Sequence, residues 1–468
     1  MKKYLKNPVL RLISKVAFDN DTELYVVGGY VRDMIMNRPS SDLDIVVAGS
    51  GIEFARKLAL AIGGNTRVSI FKNFGTAMLH YKDLEIEFVG ARKESYRKNS
   101  RKPIVENGSI EDDQKRRDFT INTLALGLGR KNYGQLLDPF DGTKDINNKI
   151  IRTPLDPVTT FSDDPLRMMR AIRFAAQLNF KIEPATLTAI KESRERIKIV
   201  SQERITEEIN KIILADKPST GFSLMDKTGL LEILLPEIHA MKGVDKMKGK
   251  LHKDNFHHTI RVLDNLSVRS SDLWLRWAAL LHDVGKPLTK RYSEESGWTF
   301  HGHEHIGAKM IPGIFRRLKL PLNEKMKYVK KIVQLHLRPI SLSGEDITDS
   351  AVRRLLYEAG DQTDDLMALC EADITSKNRE TFRRHMNNFK IVRRKLQEIE
   401  AKDAIRNFQP PVKGDEIMET FGLPQGKEVG VIKKAIKDAI LDGVISNDKQ
   451  QALRFMLEKA KEMGIEPK

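Results

Sequence analysis

Gly28-Gly29-Tyr30-Val31-Arg32-Asp33, followed by Asp42-Leu43-Asp44-Ile45-Val46-Val47, is the stretch on which the reading of this chain turns. Apolar residues Leu24 to Val27 precede the glycine pair, and Ile45 to Val47 close the second segment, so the order reads strand, turn, helix start, strand. Side chains alternate across a strand, so Asp42 and Asp44 project from one face. Two carboxylates placed in this way suit Mg²⁺, which takes oxygen ligands and usually binds through one or two carboxylates plus substrate phosphates. The glycine pair opens a helix whose free N–H groups and dipole suit an anionic polyphosphate. A Gly-Gly turn or a lone D-x-D is commonplace. Their order, with Arg32-Asp33 between them, is what points to a nucleotidyl-transfer site.

Around this segment, residues 20 to about 95 alternate short apolar strands (24–27, 45–47, 68–70, 76–81, 84–89) with one helical stretch, Gly51 to Ile62, giving a small α/β head. Glu87, in the run Ile86 to Val89, is either a third acidic residue for the site or a solvated strand glutamate. Residues 97–115 are polar, with Pro103 and Gly108, and predict a mobile active-site loop. From about Thr159 the pattern turns helical, over Pro165 to Phe174, Ala185 to Arg194, Gln202 to Ile213 and Leu224 to Leu235. The whole is expected to be an α+β chain: a head with a mixed sheet and helices at 1–150, an all-α neck at 151–245, a further all-α domain at 246–385 and a helical tail at 386–468. A length of 468 residues supports several cores. The net charge of +16, from 80 Lys plus Arg against 64 Asp plus Glu, favours a polyanionic partner. A single cysteine, Cys370, rules out an internal disulfide framework and fits a reducing compartment. Arg11 and Lys15 interrupt the only apolar stretch near the start, and no run approaches membrane-spanning length, so a soluble cytoplasmic protein is expected, with no membrane partner.

Further along, Arg116-Arg117-Asp118-Phe119-Thr120-Ile121-Asn122 offers guanidinium forks suited to phosphate and sugar oxygens. Ser162-Asp163-Asp164-Pro165-Leu166-Arg167 reads as a helix start, in which Asp163 and Asp164 lie four and three residues before Arg167 and share its face. A carboxylate that accepts from an exocyclic amine, beside a guanidinium that donates to the neighbouring ring nitrogen, fits cytosine and adenine alike. Uracil and guanine present the reverse order. In the further all-α domain His258, His282-Asp283, His303, His336 and Asp373 supply six ligand-type side chains, enough for two metals. Imidazole with carboxylate suits Mn, Fe, Ni or Zn better than Mg alone. His252, His257, His301 and His305 are nearby alternates, and His303 and His305 are not separable in sequence.

Taken together, GGYVRD with DLD, RRDFTIN, the turn Asp138-Pro139-Phe140-Asp141-Gly142, Arg167-Met168-Met169-Arg170-Ala171-Ile172-Arg173-Phe174 and Ser201-Gln202-Glu203-Arg204-Ile205 resemble the motifs of class II CCA-adding tRNA nucleotidyltransferases and bacterial poly(A) polymerases, whose head is polymerase beta-like. The resemblance covers residues 20 to about 215, and residues 250–375 are similar to the HD phosphohydrolases. It implies that Asp42 and Asp44 are catalytic carboxylates for Mg²⁺. It implies nucleotide binding by Gly28, Gly29, Arg32, Arg117, Asp118, Asn122, Asp164, Arg167 and Arg170. The expected reaction adds C, C and A to tRNA from CTP and ATP, with a metal-dependent phosphohydrolase as a second activity of the HD part. Asp163 departs from the family pattern, where glutamate is usual, which puts its own role in question. A poly(A) polymerase is the nearest alternative. Such enzymes carry a GR[RK]F-like signature where this chain reads Arg67-Val68-Ser69-Ile70-Phe71-Lys72-Asn73-Phe74-Gly75-Thr76. An enzyme adding only part of CCA is another alternative, and the segment at 97–115 argues against a CC-only enzyme. The sequence leaves open whether the chain forms a homo-oligomer.

Overall fold

The computed structural model describes residues 5–63, 66–71, 75–95, 104–244, 246–247, 250–251, 254–342, 348–376, 378–403, 405–406 and 408–468. Lys72-Asn73-Phe74, residues 97–103 of the expected loop, and His252 lie outside these. The chain forms two compact units, Met1–Leu234 and Leu235–Lys468.

The first unit opens with α1 (Pro8–Asp19), capped by Asn7, which accepts from the Val9 N–H at 2.9 Å. Then come β1 (Leu24–Val27), α2 (Gly29–Ile35), β2 (Asp42–Val47), α3 (Gly51–Ile62), β3 (Val68–Phe71), β4 (Thr76–Tyr81) and β5 (Leu84–Gly90). β6 (Arg92–Ser95), β7 (Ile104–Asn107), α4 (Ile110–Lys115), β8 (Ala125–Gly127) and β9 (Leu136–Leu137) complete the head. Seven of these strands form one mixed sheet in the order β3-β4-β5-β2-β1-β8-β9, antiparallel except for the parallel pair β2/β5. The period-two pattern sends Leu43 and Ile45 to one face of β2 and Asp42, Asp44 and Val46 to the other. On the first face Phe54 of α3 packs on Phe88 of β5, ring centroids 5.7 Å apart. On the second, Val46 joins Tyr25, Val27, Ala91 and Ala125, covered by Ile110 of α4 and by Leu137. The two aspartates therefore stand where an apolar face ends.

The loop expected over 97–115 is corrected in its described part. β7 pairs antiparallel with β6, and α4 starts at a reciprocal capping box between Ser109 and Asp112.

The helical part of this unit runs through α5 (Gly142–Asn148), α6 (Pro157–Asp163), α7 (Leu166–Leu178), α8 (Pro184–Ser193), α9 (Gln202–Ile213), α10 (Pro218–Thr228) and α11 (Leu230–Leu234). Two expectations change here. The helix predicted to begin at Ser162 is two helices, because Pro165 forbids helical backbone to the residue before it and Asp164 is extended (φ −135°, ψ 101°). Asp163 therefore ends α6 and does not share a helix with Arg167. The helix predicted over Leu224 to Leu235 breaks at Gly229, whose φ is +79°.

The second unit is helical, with a small hairpin at Arg291–Ser293 and Gly297–Thr299. Its helices are α12 (Pro236–His239), α13 (Asn255–Ser267), α14 (Leu273–Leu281), α15 (Lys286–Thr289), α16 (His303–Arg317), α17 (Glu324–Leu335), α18 (Arg338–Ser341), α19 (Asp349–Ala359), α20 (Thr363–Asp373), α21 (Arg379–Asp403), α22 (Gly414–Phe421), α23 (Lys427–Leu441) and α24 (Lys449–Glu462). Trp277 and Phe315 are among its fully buried side chains. Among the described residues no helix is long and apolar enough to cross a membrane.

Candidate functional site

In the first unit Asp42 is exposed and Asp44 half-buried, on the same face of β2. The parallel register sets Asp42 beside Glu85 and Asp44 beside Glu87, so Glu87 joins the acidic edge as an exposed neighbour. Burial raises the pKa of Asp44, and the Arg117 guanidinium works against that shift. Gly28 stands between these two groups. Its φ is +73°, and a Cβ there would lie 2.7 Å from Arg117 Nη1 and 3.6 Å from Asp44 Oδ2. Any side chain at Gly28 would be strained and would displace the arginine. Gly29 begins α2, and the same helix carries Arg32.

The arginines are held by buried acids. Arg117 Nε and Nη2 each lie 2.9 Å from Asp113 Oδ2, and Arg116 also pairs with Asp113. Asp113 is completely buried, and although burial raises its pKa, the two guanidinium groups outweigh this and hold it low. Arg32 donates to Asn122 Oδ1 at 2.8 Å and pairs with Asp33 at 2.8 Å. Asn122 donates in turn to Asp118 Oδ1 at 2.9 Å. Asp118 Oδ2 lies 2.6 Å from Arg170 Nη2. Burial opposes ionisation of Asp118, but Arg170, Asn122 and Arg167 together bring its pKa down to about 2. Phe174 serves as a platform: the guanidinium groups of Arg173, Arg32 and Arg170 stand 4.1, 4.9 and 5.5 Å from its ring centre. Arg173 also pairs with buried Glu208 at 2.8 Å. Asp118 and Asn122 thus fasten the arginines as well as lying among them.

Asp164 and Arg167 flank the first turn of α7. Asp164 accepts from the Leu166 N–H at 3.2 Å and pairs with Arg204 at 3.2 Å, while Arg167 donates to the carbonyls of Thr160, at 3.4 Å, and Arg116. The Arg167 N–H donates to the Asp164 carbonyl at 3.0 Å, while the two side chains hold these other partners. Arg167 joins α7 to the segment that carries Arg116 and Arg117. Sequence reading missed Asp113, and it placed Arg204 in the Ser201–Ile205 motif without its partner Asp164. Asp113 had a signal, since it lies three and four residues before Arg116 and Arg117, the helical pairing distance. The pairing of Arg204 with Asp164 had no local signal, because Arg204 is brought in from α9. Gly142 allows α5 to approach the turn Thr120–Asn122, where a Cβ would meet the Thr120 carbonyl oxygen at 2.3 Å.

The second unit gathers all six expected ligands: His258 on α13, His282 and Asp283 after α14, His303 at the start of α16, His336 after α17 and Asp373 at the end of α20. His258, His282 and Asp283 form one group of ligand atoms within 4.8 Å of one another, and Asp283, His303 and His336 form another, so Asp283 is common to both. Asp373 Oδ1 lies 2.7 Å from His258 Nε2 and 3.7 Å from His282 Nε2. His305 is exposed, which separates it from buried His303.

Three rings are fixed by backbone: Nδ1 of His282, His303 and His336 lies 2.8, 2.8 and 2.7 Å from the carbonyls of Ala279, Phe300 and Val333. Nδ1 of His258 meets Thr375 Oγ1 at 3.0 Å. A carbonyl keeps the proton on Nδ1 and turns the Nε2 lone pair inward. His303 and His336 consequently face each other Nε2 to Nε2 at 3.3 Å, and buried His282 Nε2 lacks a well-formed hydrogen bond. A cation bound there would relieve both features. Burial lowers the pKa of His282, but Asp283 and Asp373 outweigh burial and raise it to about 10. Burial and the His282 charge push His336 down to about 4. Lys286 Nζ caps Asp283 at 2.7 Å. This is a histidine–aspartate cluster able to hold metal ions, and among the described residues it is the one place where three such ligands meet.

Three family models match in succession: the poly A polymerase head domain over residues 24–152, the probable RNA and SrmB-binding site of polymerase A over 179–242, and the HD domain over 255–378. An A-adding tRNA nucleotidyltransferase of Deinococcus radiodurans is 30% identical over 446 residues, 93% of this chain and 95% of the relative. A multifunctional CCA protein of Pseudomonas fluorescens is 32% identical over 370 residues, 75% of this chain and 84% of the relative. Among solved structures, the Bacillus stearothermophilus CCA-adding enzyme in complex with CTP superposes with a TM-score of 0.69 at 24% identity, covering 99% of both chains, which speaks to the fold.

Proposed function

We propose, from the premise that this chain belongs to the tRNA nucleotidyltransferase family, that it adds C, C and A to the 3′ end of tRNA from CTP and ATP with release of pyrophosphate. The observation that carries the reading is the packing of Asp44, Gly28 and Arg117 against one another at the open end of an apolar sheet face. Asp42 and Asp44, with Glu87 beside them, would hold Mg²⁺, which supplies charge neutralisation for the triphosphate and the reacting oxygens. Around them the chain offers fixed cations. Arg117, Arg116 and Arg32 are already aligned by Asp113, Asn122 and Asp33, so a nucleotide triphosphate meets donors that need no reorganisation. Asp164 and Arg167 are the base-reading pair in this account. Arg167 would exchange its carbonyl partners for the ring nitrogen of cytosine or adenine, and Asp164 would exchange Arg204 for the exocyclic amine.

A second reading, addition of the final A alone, is favoured by one observation: the A-adding relative aligns over 93% of this chain and the CCA protein over 75%. Purified protein given tRNA lacking CCA, or tRNA ending in CC, with each labelled nucleotide separates the two. Extension of the first substrate by CMP supports complete CCA addition, and extension only of the second, by AMP, supports the A-adding reading.

For the second unit we propose a metal-dependent phosphohydrolase. His258, His282, His303, His336, Asp283 and Asp373 would hold Mn, Fe, Ni or Zn in preference to Mg, because imidazole suits transition ions. Such ions supply Lewis acidity at a phosphoryl oxygen and make water nucleophilic at neutral pH.

A further inference from the structure

A cavity of about 420 Å³ opens at the far end of the helices that carry the histidine–aspartate cluster. Its volume falls within the range of sites for small organic ligands, about 300–1,000 Å³. α14, α17 and α20 pack on one another, and each lines the cavity near its start and leads to a cluster residue at its end. Trp274 precedes His282, Tyr328 precedes His336 and Asp365 precedes Asp373 by eight positions each, so about 12 Å of helix separates the two places. Buried Ala278, Ile332 and Leu369 lie between them along these helices. The cavity is therefore a separate place with its own chemistry.

Its acids are already committed. Asp272 caps α14 by accepting from the Trp274 and Leu275 N–H groups at 2.9 and 2.8 Å, Asp365 accepts from the Tyr328 hydroxyl at 2.7 Å, and Glu324 pairs with Lys327 at 2.7 Å. Burial and Asp365 both raise the Tyr328 pKa, so the phenol stays neutral. The three carboxylates thus leave Lys325 and half-buried Lys331 as the cations of the wall. Burial works against the Lys331 charge, and Asp361 only partly offsets this. Gln362 is the other unmet group: its side-chain oxygen is buried without a hydrogen-bond partner, a costly state for an acceptor. Trp274 supplies the flat wall, its ring packed on Phe315 with centroids 6.1 Å apart.

We propose that this cavity binds a free nucleoside monophosphate, with the base against Trp274, a base N–H directed to the Gln362 oxygen and the phosphate at Lys325 and Lys331. Simpler ligands each leave part of the wall unmet. An inorganic anion would satisfy the lysines but neither cover the indole nor donate to Gln362, and an apolar ring would strand both the amide oxygen and the cations. A base offers a π-face and an N–H donor together, and one phosphate matches two ammonium groups. The inference rests on the cavity alone and is independent of the transfer and phosphohydrolase readings.

The test uses the full chain in EDTA, so that no metal holds phosphate at the other two sites, and follows tryptophan emission as adenosine 5′-monophosphate, adenosine or ribose 5-phosphate is titrated in. The nucleotide should quench the emission, and Trp274→Phe, which keeps a ring against Phe315, should remove the quench. Lys325 is exposed, so Lys325→Glu keeps the fold. It should weaken the nucleotide about tenfold and leave adenosine as in wild type, whereas Gln362→Leu should weaken both about tenfold. Ribose 5-phosphate, which lacks the base, should give no quench. No quench by the nucleotide, a quench that survives Trp274→Phe, equal losses of nucleotide and adenosine in Lys325→Glu, or unchanged adenosine binding in Gln362→Leu would overturn the proposal.

Discussion

Where the first unit gathers arginines fixed by buried acids, the second gathers imidazoles fixed by backbone carbonyls. Asp113 and Asp118 spend their charge on Arg116, Arg117 and Arg170, so the cations are held in place and Asp42 and Asp44 are left at the rim. In the second unit the carbonyls of Ala279, Phe300 and Val333 orient the rings of His282, His303 and His336 so that their three Nε2 atoms converge on Asp283. The difference follows from what each site would receive. A polyanion that brings its metal with it calls for fixed cations and few carboxylates, whereas a resident transition ion calls for a closed set of ligand atoms.

The comparison breaks most sharply at the rim carboxylates. Asp42→Ala and Asp44→Ala should each slow incorporation of CMP and AMP by about a thousandfold, equivalent to about 4 kcal/mol, while tRNA binding stays near normal. Single-turnover assays with gel-shift controls would measure this, and wild-type rates in either variant would remove these residues from the chemistry.

A smaller effect separates fastening from contact. Asp118 has its folded pKa depressed to about 2, so its contribution is fully present above the unfolded carboxylate value near 4 and is lost as pH falls through about 2. Asp118→Asn should lower stability at neutral pH, on the order of 2 kcal/mol, and flatten the acid limb of thermal unfolding between about pH 4 and 2. An unchanged acid limb would mean that Asp118 does not anchor Arg170.

The smallest effect concerns selectivity. Arg167→Ala should raise misincorporation of UMP and GMP, with discrimination falling by about 1–3 kcal/mol, the range of one base-edge pair. Retention of both fidelity and rate would place base reading elsewhere, with Arg204 the next residue to vary.

Local pattern made much of this legible. The continuous apolar run Leu24–Val27 and the alternation in Asp42–Val47 and Leu84–Gly90 carry the sheet, and the burial of one face of β2 fixes which side Asp42 and Asp44 share. The break at Asp164 was also written in the chain, in Pro165, but the acidic cap and the apolar run behind it suggested a continuous helix start. Ser109 and Asp112 likewise spelled a capping box inside a segment whose polarity reads as loop. What sequence could not supply is pairing across elements. His303 and His305 are equivalent as letters, and only the packing of α16 beside α17 buries the first and exposes the second. Arg204 meets Asp164 across 40 positions, and Arg170 meets Asp118 across 52, by helix packing alone.

The central claim is that the two sites divide the chemistry between them, and one crossed measurement tests it most directly. A variant carrying His282→Ala with Asp283→Ala is assayed for nucleotide addition to tRNA and for Mn²⁺-dependent hydrolysis of a phosphate ester, beside the Asp42→Ala protein and wild type, each checked for folding by circular dichroism. The account predicts that the first variant adds nucleotides at the wild-type rate and hydrolyses nothing, and that Asp42→Ala does the reverse. Loss of nucleotide addition in folded His282→Ala/Asp283→Ala protein would contradict it, by making the histidine–aspartate cluster part of the transfer machinery.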